Sequence, residues 1–481
     1  MPSSLTMYPP RQVSRPALCY YSIRKVSFLY LFSNLNFLTC MGGLQYAIFI
    51  VPILLFLAFL EYLVSRKRGV EAYRFSDTIV NMMCGMLERL FDFFWVVMMY
   101  FVFVFLYEEV ALWQFARHPL TWVGALFVAD LLAYWHHRLS HEINFLWASH
   151  IVHHQSEELN ITTVFRVSAF AVINRSFFFI WMPLMGFDPV ITTSAIVFIG
   201  LFQFVTHTRL VGKLGWLEYF FVTPSHHRVH HARNEKYLDK NYGHVFIIWD
   251  RMFGTFVEEE EEPDYGITTG FESSNPYRAY FFYWVDLFRR AREAKSWGDK
   301  VRIFLKPPSW NPEGVTVTPI EYKVDAEGKR QHYILDMPAR LQIYILVNVL
   351  LTLGVFLALV AYKNQMVDPT VMRLLADPKV LILGTYLGLA AFAFGLLMER
   401  RPRGLVFEYI RLAFTAVVLP VLLWNLPWSG LLITAALLFN GFMAFWMIRM
   451  RNYFPSRSRS QVPAEVQKDA GPVNKKPAVP V

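Results

Sequence analysis

Residues 119–141 read PLTWVGALFVADLLAYWHHRLSH, an apolar run that leads directly into histidines. A helix that crosses a bilayer needs about 20 apolar residues, and similar runs occur elsewhere, first at 45–63 (QYAIFIVPILLFLAFLEYL). The 481 residues are 55% hydrophobic and only 17% charged, whereas soluble domains carry about a quarter charged residues. The sequence therefore predicts an all-α integral membrane protein. It excludes a disordered chain, a coiled coil and an ordinary cytosolic enzyme.

The apolar segments predict a multi-span helical bundle. Residues 41–335 are expected to form a catalytic domain, with a cytosolic part at 207–335, and residues 336–448 a C-terminal four-helix membrane region. Residues 1–40 are expected to be a basic tail that need not be native, and 449–481 a basic disordered tail. The individual segments are expected at 45–63, 80–107 and 119–135, as a hairpin at 164–206, and at 341–362, 379–398, 404–426 and 428–448.

The distribution of charge indicates which side of the membrane the polar segments face. All of the net charge of +9 lies in residues 1–40 and 449–481, which favours tails beside a membrane surface over a nucleic-acid groove. The bases at 66–68 directly follow the first span, and cytoplasmic loops favour Lys and Arg. Counting crossings from them places the histidine-rich segments on the cytosolic face. The three cysteines are too widely spaced to support a disulfide framework or a thiolate metal site.

Histidine carries the strongest functional signal. Twelve of the 14 histidines lie between His136 and His244. Residues three or four apart share one face of a helix, so each set with that spacing directs its imidazoles one way. A zinc ion takes about four ligands, so eight imidazoles predict a pair of metal ions in a histidine-rich helical cap. The three sets with this spacing are His137 and His141; His150, His153 and His154; and His227, His230 and His231.

Four more histidines are expected near these sets. His207, at the end of the hairpin, can reach them and is predicted as a further ligand. His136 and His226 each stand one position before a ligand set, about 100° around a helix, which favours supporting or interfacial positions. His244 has no partner at helical spacing, so it is predicted either as a ligand or as a residue that supports one.

Two carboxylates also belong to the prediction. Glu142 directly follows His141, and Asp130 lies near the end of its apolar run. Carboxylates often accept the second ring proton of a metal-bound histidine and so orient it. Both are therefore candidates for orienting ligand imidazoles.

The type of donor limits which metals the site can hold and which reactions it can support. Imidazole suits zinc, iron, copper and nickel, but a structural zinc site would more commonly use cysteine. Two irons beside a bilayer suit the activation of dioxygen and the oxidation of an unactivated alkyl carbon, which side chains alone cannot perform. The competing class is a metal transporter, whose ligands should lie within spans near the bilayer midplane. Here the histidines fall at span ends and in polar stretches, which favours a membrane oxygenase.

The histidine sets resemble those of the membrane fatty acid hydroxylase/sterol desaturase superfamily. They read HRLSH (137–141), HIVHH (150–154) and HRVHH (227–231). Longer blocks are similar to one branch of it, which oxidises alkylglycerols, and the likeness covers roughly 45–330. These blocks are HHQSEELNITTVFRVS (153–168), TPSHHRVHHARN (223–234) and DKNYGHVFIIWDRMFGTF (239–256).

That resemblance implies a di-iron enzyme of the endoplasmic reticulum type. It would hydroxylate the ether-linked carbon of alkylglycerols with dioxygen, and with tetrahydrobiopterin or another reductant, to give a fatty aldehyde and a glycerol derivative. The resemblance implies metal ligation by the three histidine sets, with His207 supplying a hairpin ligand, and makes Glu142 the important acid. Asn160, Thr163 and Arg166 become candidate pterin contacts. The alternative is a hydroxylase or desaturase of sterol, carotenoid or sphingolipid chains with a different electron donor.

Overall fold

A computed structural model describes residues 42–269, 271–315, 331–365 and 371–454. Side chains are described from Ile50 onward, except at 364–365 and 371–372. The tails predicted at 1–40 and, from residue 455, at the C-terminus lie outside these ranges. Within them the chain is helical and forms no β-strand, with two isolated bridges, Phe221 to Phe246 and Ala232 to Tyr265. The predicted all-α class is confirmed.

The N-terminal part of the described chain carries all three histidine sets. Its first helices are α1 (Gly42–Lys67), α2 (Phe75–Phe105, continued by a π-helical turn to Val110), α3 (Pro119–Glu142) and α4 (Asn144–His154). A 3-10 turn (Ile161–Phe165) then leads to α5 (Ala169–Phe179), α6 (Trp181–Leu184), α7 (Pro189–Thr206), α8 (Pro224–His231) and α9 (Ile248–Phe253), with short 3-10 turns at Gly215–Tyr219 and Glu235–Tyr237.

The remaining helices form the rest of the bundle. They are α10 (Pro276–Glu293), α11 (Trp297–Leu305), α12 (Ala339–Gln365), α13 (Val371–Ala376), α14 (Pro378–Met398), α15 (Pro402–Leu423) and α16 (Ser429–Arg449), followed by a 3-10 turn at Arg451–Tyr453. Helices α14, α15 and α16 pack in sequence, and α14 also packs on α2 and α12. One apolar core therefore joins the C-terminal helices to α2.

Six described helices are long and apolar enough to cross a membrane, so the chain is a multi-pass membrane protein. They are Phe75–Val110, Pro189–Thr206, Ala339–Lys363, Pro378–Met398, Pro402–Leu423 and Ser429–Arg449. The segment predicted at 119–135 forms a helix but is not among the six, because Asp130 and the following histidines lower its hydropathy. The first arm of the predicted hairpin is also not among the six, because its apolar segment, Ala169–Leu184, is shorter than a candidate span.

The turn inside the hairpin has a clear local cause. Gly186 adopts φ +94, a left-handed conformation that favours glycine. A Cβ at this position would lie 2.4 Å from the carbonyl oxygen of Trp113. Asp188 then accepts a hydrogen bond from the backbone N–H of Val190 at 2.8 Å, with Pro189 as the first helical residue. An acidic cap followed by proline starts a helix efficiently, so α7 begins at a defined point.

An ion pair lies buried among the C-terminal helices. The Arg411 guanidinium donates to both Glu408 carboxylate oxygens, at 2.6 and 2.9 Å. It also donates to Asn348 Oδ1 at 2.6 Å, and the hydroxyl of Tyr344 donates to Glu408. Ionisable groups are expensive inside a membrane bundle unless they are paired in this way.

We predict that Arg411→Met destabilises the protein by about 3–5 kcal/mol, because it leaves the buried Glu408 carboxylate without its ion-pair partner. Thermal unfolding in detergent micelles should show a lower Tm. The control is Arg403→Met, which removes an exposed arginine from the same helix. Equal Tm values for the two variants would contradict the importance of the pair.

Candidate metal centre

Three helix ends bring the histidine sets together. His137 and His141 occupy the last turns of α3, and α4 begins at Asn144 after a single extended residue. The Asn144 side chain donates to the carbonyl of Ile303 at 2.8 Å, which anchors the start of α4. Helix α8, which carries the third set, is buried along its whole length. His207, at the C-terminal end of α7, lies beside two of these helices, with its Nε2 atom 3.2 Å from that of His153 on α4 and 2.9 Å from that of His227 on α8.

The nine histidines form two groups, in each of which the candidate donor nitrogens lie within 4.8 Å of one another. Seven of the nine residues are buried and two are half-buried. The five-histidine group consists of His137, His141, His150, His154 and His230, and the four-histidine group of His153, His207, His227 and His231.

Distances inside the groups are those of nitrogens that face a shared centre. In the five-histidine group, His150 Nε2 lies 3.0 Å from the Nε2 atoms of both His137 and His154. Two metal–nitrogen bonds of about 2.1 Å at a right angle place their nitrogens about 3.0 Å apart. The spacing therefore fits ligands around one ion.

The four-histidine group repeats this spacing. His207 Nε2 lies 3.2 Å from His153 Nε2 and 2.9 Å from His227 Nε2. His231 Nε2 lies 3.1 Å from His227 Nε2. The chain thus presents two neighbouring clusters of nitrogen donors.

Unsatisfied nitrogens provide an independent test of fit to a metal. The Nε2 atoms of His141 and His230 are buried and have no hydrogen-bond partner. Their Nδ1 atoms are held, by Asp239 Oδ1 at 3.2 Å and by the Lys240 carbonyl at 2.9 Å. Buried polar atoms are normally satisfied, and an ion between the rings would satisfy both. The donor set fits a transition metal that accepts imidazole.

Backbone carbonyls fix the orientation of other rings. His137 Nδ1 lies 2.8 Å from the carbonyl oxygen of Tyr242, and His207 Nδ1 lies 2.7 Å from that of Gln203. A carbonyl oxygen only accepts, so the ring proton stands on Nδ1 and the Nε2 lone pair faces the group. Metal-binding histidines are commonly oriented in this way.

The segment 239–250 is held rigidly. Asp250 accepts hydrogen bonds from the backbone N–H groups of Tyr242 and Gly243, both at 2.7 Å. Asp130 accepts from Val245 N at 2.9 Å, and from Phe246 N and the Trp249 indole. Asp130 is a predicted supporting partner of an imidazole. Its carboxylate holds the segment whose Tyr242 carbonyl orients His137, so its support of that ring is indirect.

Burial keeps most of these imidazoles neutral. Loss of hydration, reinforced by neighbouring histidines, lowers the pKa of seven ring systems well below the usual value, and burial lowers the pKa of His153 to about 4. Neutral imidazole is the form that binds a metal. The seven are His137, His150, His154, His207, His227, His230 and His231.

The remaining predicted histidines lie outside the two groups. The His136 ring packs edge-on against Phe178. His226 Nδ1 accepts from the backbone N–H of Thr223 at 3.4 Å and so caps α8. The His244 ring centroid lies 4.9 Å from that of His137. His244 therefore adjoins the five-histidine group, whereas His136 has an interfacial position and His226 a capping one.

Two carboxylates near His141 have different partners. Glu142 accepts from Arg138 at 2.8 Å and is half-exposed. The carboxylate that contacts His141 is Asp239, a residue that the sequence reasoning missed. Asp239 adopts φ 58, which is unusual for a residue other than glycine. It belongs to the quoted block 239–256, but no periodicity links it to a histidine set.

The candidate pterin residues have partners within the protein. Asn160 caps the 3-10 turn and donates to the Ala72 carbonyl at 2.6 Å. Thr163 Oγ1 accepts from the Asn160 backbone N–H. The buried Arg166 donates to the Val152 carbonyl and, at 3.0 Å, to Asp77 and Asn81. These contacts position the chain after α4, and a role in pterin binding stays a prediction.

A multi-pass membrane fold with two buried histidine groups fits a membrane-bound metalloenzyme, and sequence comparison agrees. The profile of the fatty acid hydroxylase family matches residues 122–255, which contain all nine grouped histidines. No solved structure matches the chain.

Curated relatives identify the family more fully. Human alkylglycerol monooxygenase is 30% identical over 363 residues, which cover 75% of this chain and 79% of that protein. The Danio rerio alkylglycerol monooxygenase is 31% identical over 70% of this chain and 74% of its own length. An ornithine lipid hydroxylase of Rhizobium tropici is 32% identical over 30% of this chain and 45% of its own length.

The chain therefore belongs to the fatty acid hydroxylase family, in the group that contains the alkylglycerol monooxygenases. It is a membrane-bound oxidoreductase of the monooxygenase type that acts on lipids. The family and the histidine groups together indicate iron binding.

We predict that Asp239→Asn weakens iron binding about 10- to 100-fold, because the His141 ring loses the carboxylate that orients it. Iron retention during titration with a chelator measures the change. The control is Glu235→Gln, which neutralises an exposed acid a few residues away. Identical retention curves for the two variants would show that Asp239 does not support the site.

The lowered histidine pKa values predict sensitivity to acid. Unfolded histidines take up protons near pH 6.5, whereas the buried ones remain neutral to lower pH. Below about pH 6.5 the unfolded chain therefore binds more protons, and the stability of the metal-free protein falls as the pH falls. Each extra proton costs about 1.4 kcal/mol per pH unit. Melting curves of chelator-treated protein at pH 7.5 and 5.5 test this, and an unchanged Tm would refute it.

Proposed function

We propose that this chain is a di-iron oxygenase that cleaves the ether bond of alkylglycerols. The observation that carries the proposal is the pair of adjacent histidine groups, one of which includes His207 at the end of the candidate membrane helix α7. The substrate class is supported by relatives named alkylglycerol monooxygenase in human and Danio rerio, which match most of this chain.

Two ions are proposed because neighbouring residues supply different groups. His153 and His154 are consecutive on α4, and His230 and His231 are consecutive on α8, yet each pair is divided between the groups. The ring centroids of His154 and His231 lie 4.6 Å apart, although these residues belong to different groups. Two ions held in this way would lie side by side and share two supporting helices.

The balance of the reaction requires an external reductant. When bound, the iron pair would use dioxygen to insert one oxygen atom into the C–H bond beside the ether oxygen. The second oxygen atom leaves as water, with two electrons and two protons from the reductant. The hemiacetal product then separates into a fatty aldehyde and a glycerol derivative. Tetrahydrobiopterin or another donor of two electrons is the proposed reductant.

In this proposal, the protein's side chains hold the iron ions and orient the imidazoles around them. The nine grouped histidines are the proposed iron ligands, and burial keeps the rings with lowered pKa values neutral and available. Glu142 is the proposed catalytic acid, because its side chain is half-exposed to solvent, in an ion pair with Arg138. It has access to bulk water, which the buried histidines lack.

The cytosolic face is the proposed location of the site. The basic end of α1 favours the cytoplasmic side. The Arg68 guanidinium donates to the carbonyl of Leu210 at 3.0 Å, three residues after His207. The Thr208 hydroxyl donates to Glu61, which lies on α1 before its basic end. These contacts support a placement of the histidine groups on the same side as the basic residues.

We predict that membranes containing the chain release fatty aldehyde from an alkylglycerol when reduced pterin and dioxygen are added. His153→Ala and His230→Ala, one from each group, should abolish release and lower the bound iron. His118→Ala, an exposed histidine outside both groups, is the control. Aldehyde measured by chromatography and iron measured by mass spectrometry give the two readouts.

Two outcomes would overturn the proposal in different ways. Full activity in either histidine variant would refute the ligand assignment. Iron loading without aldehyde release would refute the substrate, and the same membranes would then be tested with sterol, carotenoid and sphingolipid chains.

A further inference from the structure

A cavity of about 440 Å³ lies between the C-terminal end of α7 and the chain that leads into α8. This volume is within the range of small-molecule sites, about 300–1,000 Å³. Its lining is almost wholly apolar and contains no charged side chain. Its lining includes Phe202, Val205, Leu214, Leu217, Phe221 and Pro224.

The inner wall of the cavity is also the scaffold of the four-histidine group. Thr206, which lines the cavity, immediately precedes His207, and Pro224 begins the helix that carries His227. His207 and His227 face each other with their Nε2 atoms 2.9 Å apart. The cavity therefore shares two wall elements, the end of α7 and the start of α8, with members of the four-histidine group.

The outer wall is continuous with the surface that faces lipid. Val205 is 61% exposed and lies on α7, a candidate membrane span whose side chains Val197, Phe198 and Leu201 are also exposed. The opposite wall leads to Trp216 and Tyr219, which are 70% and 64% exposed. Exposed tryptophan and tyrosine are typical of the membrane–water interface. The cavity is thus positioned to open toward the bilayer.

We propose that this cavity binds the alkyl chain of the lipid substrate, which enters from the bilayer along α7. This inference rests on the proposed function and specifies where its substrate lies. A single hydrocarbon chain suits an apolar cavity that is continuous with lipid on one side and adjoins a metal centre on the other.

Filling the cavity tests the proposal. Val205→Trp should lower kcat/KM for long-chain alkylglycerols by at least about tenfold, which is the scale of discrimination by apolar pockets. Activity on short-chain alkylglycerols should persist, because a short chain needs less of the cavity. The matched control is Val197→Trp, on the same exposed face of α7 but outside the cavity. An equal loss for all chain lengths, or none, would overturn the proposal.

A binding experiment separates this inference from the proposed reaction. Wild-type protein in vesicles is irradiated with an alkylglycerol that carries a diazirine on its chain, and the labelled peptides are identified by mass spectrometry. Labelling within 202–224 that Val205→Trp removes would support the cavity, even if no ether bond is cleaved. Labelling confined to other lipid-facing helices would refute the cavity, even if cleavage occurs.

Discussion

The burial of many imidazoles around two points is the constraint on which the rest of the structure depends. Nitrogens of five rings in one group, and of four in the other, lie within 4.8 Å of one another. Such an arrangement is unfavourable if the rings are protonated, since like charges would meet in a poorly hydrated space. It is favourable only for neutral rings whose lone pairs share a cation. The carbonyls of Gln203, Lys240 and Tyr242 keep that geometry by fixing the ring protons on the outer nitrogens.

Much of this candidate site could be predicted from the sequence because eight of its nine grouped histidines lie on helices. Spacing of three and four residues makes imidazoles share a face, so the three sets follow from periodicity. Their total of eight imidazoles then predicts a shared pair of metal ions. Their division between the groups was not readable. His153 and His154 are consecutive, and consecutive helical side chains point about 100° apart. Only the relative positions of α4, α8 and His207 in the fold determine to which of the two groups each ring belongs.

The contacts that orient the imidazoles were harder to predict, because several of them come from backbone atoms and do not depend on the residue type. A backbone carbonyl such as that of Tyr242 can come from any residue type, so no pattern marks it. Glu142 was the expected partner of His141 because it is next in sequence. On a helix, however, adjacency directs a side chain away, and Glu142 pairs with Arg138 one turn earlier. The contact to His141 comes from Asp239, 98 positions later.

The position of the site at helix ends reconciles a polar metal centre with an apolar substrate. Imidazoles at the midplane of a bilayer would need partners from within the bundle, whereas at the ends of α3 and α7 they draw on the segment 239–250. Asp130 of α3 and the internal contacts of Asp250 hold that segment, and the Gln203 side chain of α7 donates to its His244 carbonyl at 3.1 Å. The same location leaves α7 with one apolar side toward lipid and its last residue next to His207. In the proposed reaction, a hydrocarbon chain would then reach the centre without crossing water, and protons and reductant would arrive from the aqueous side.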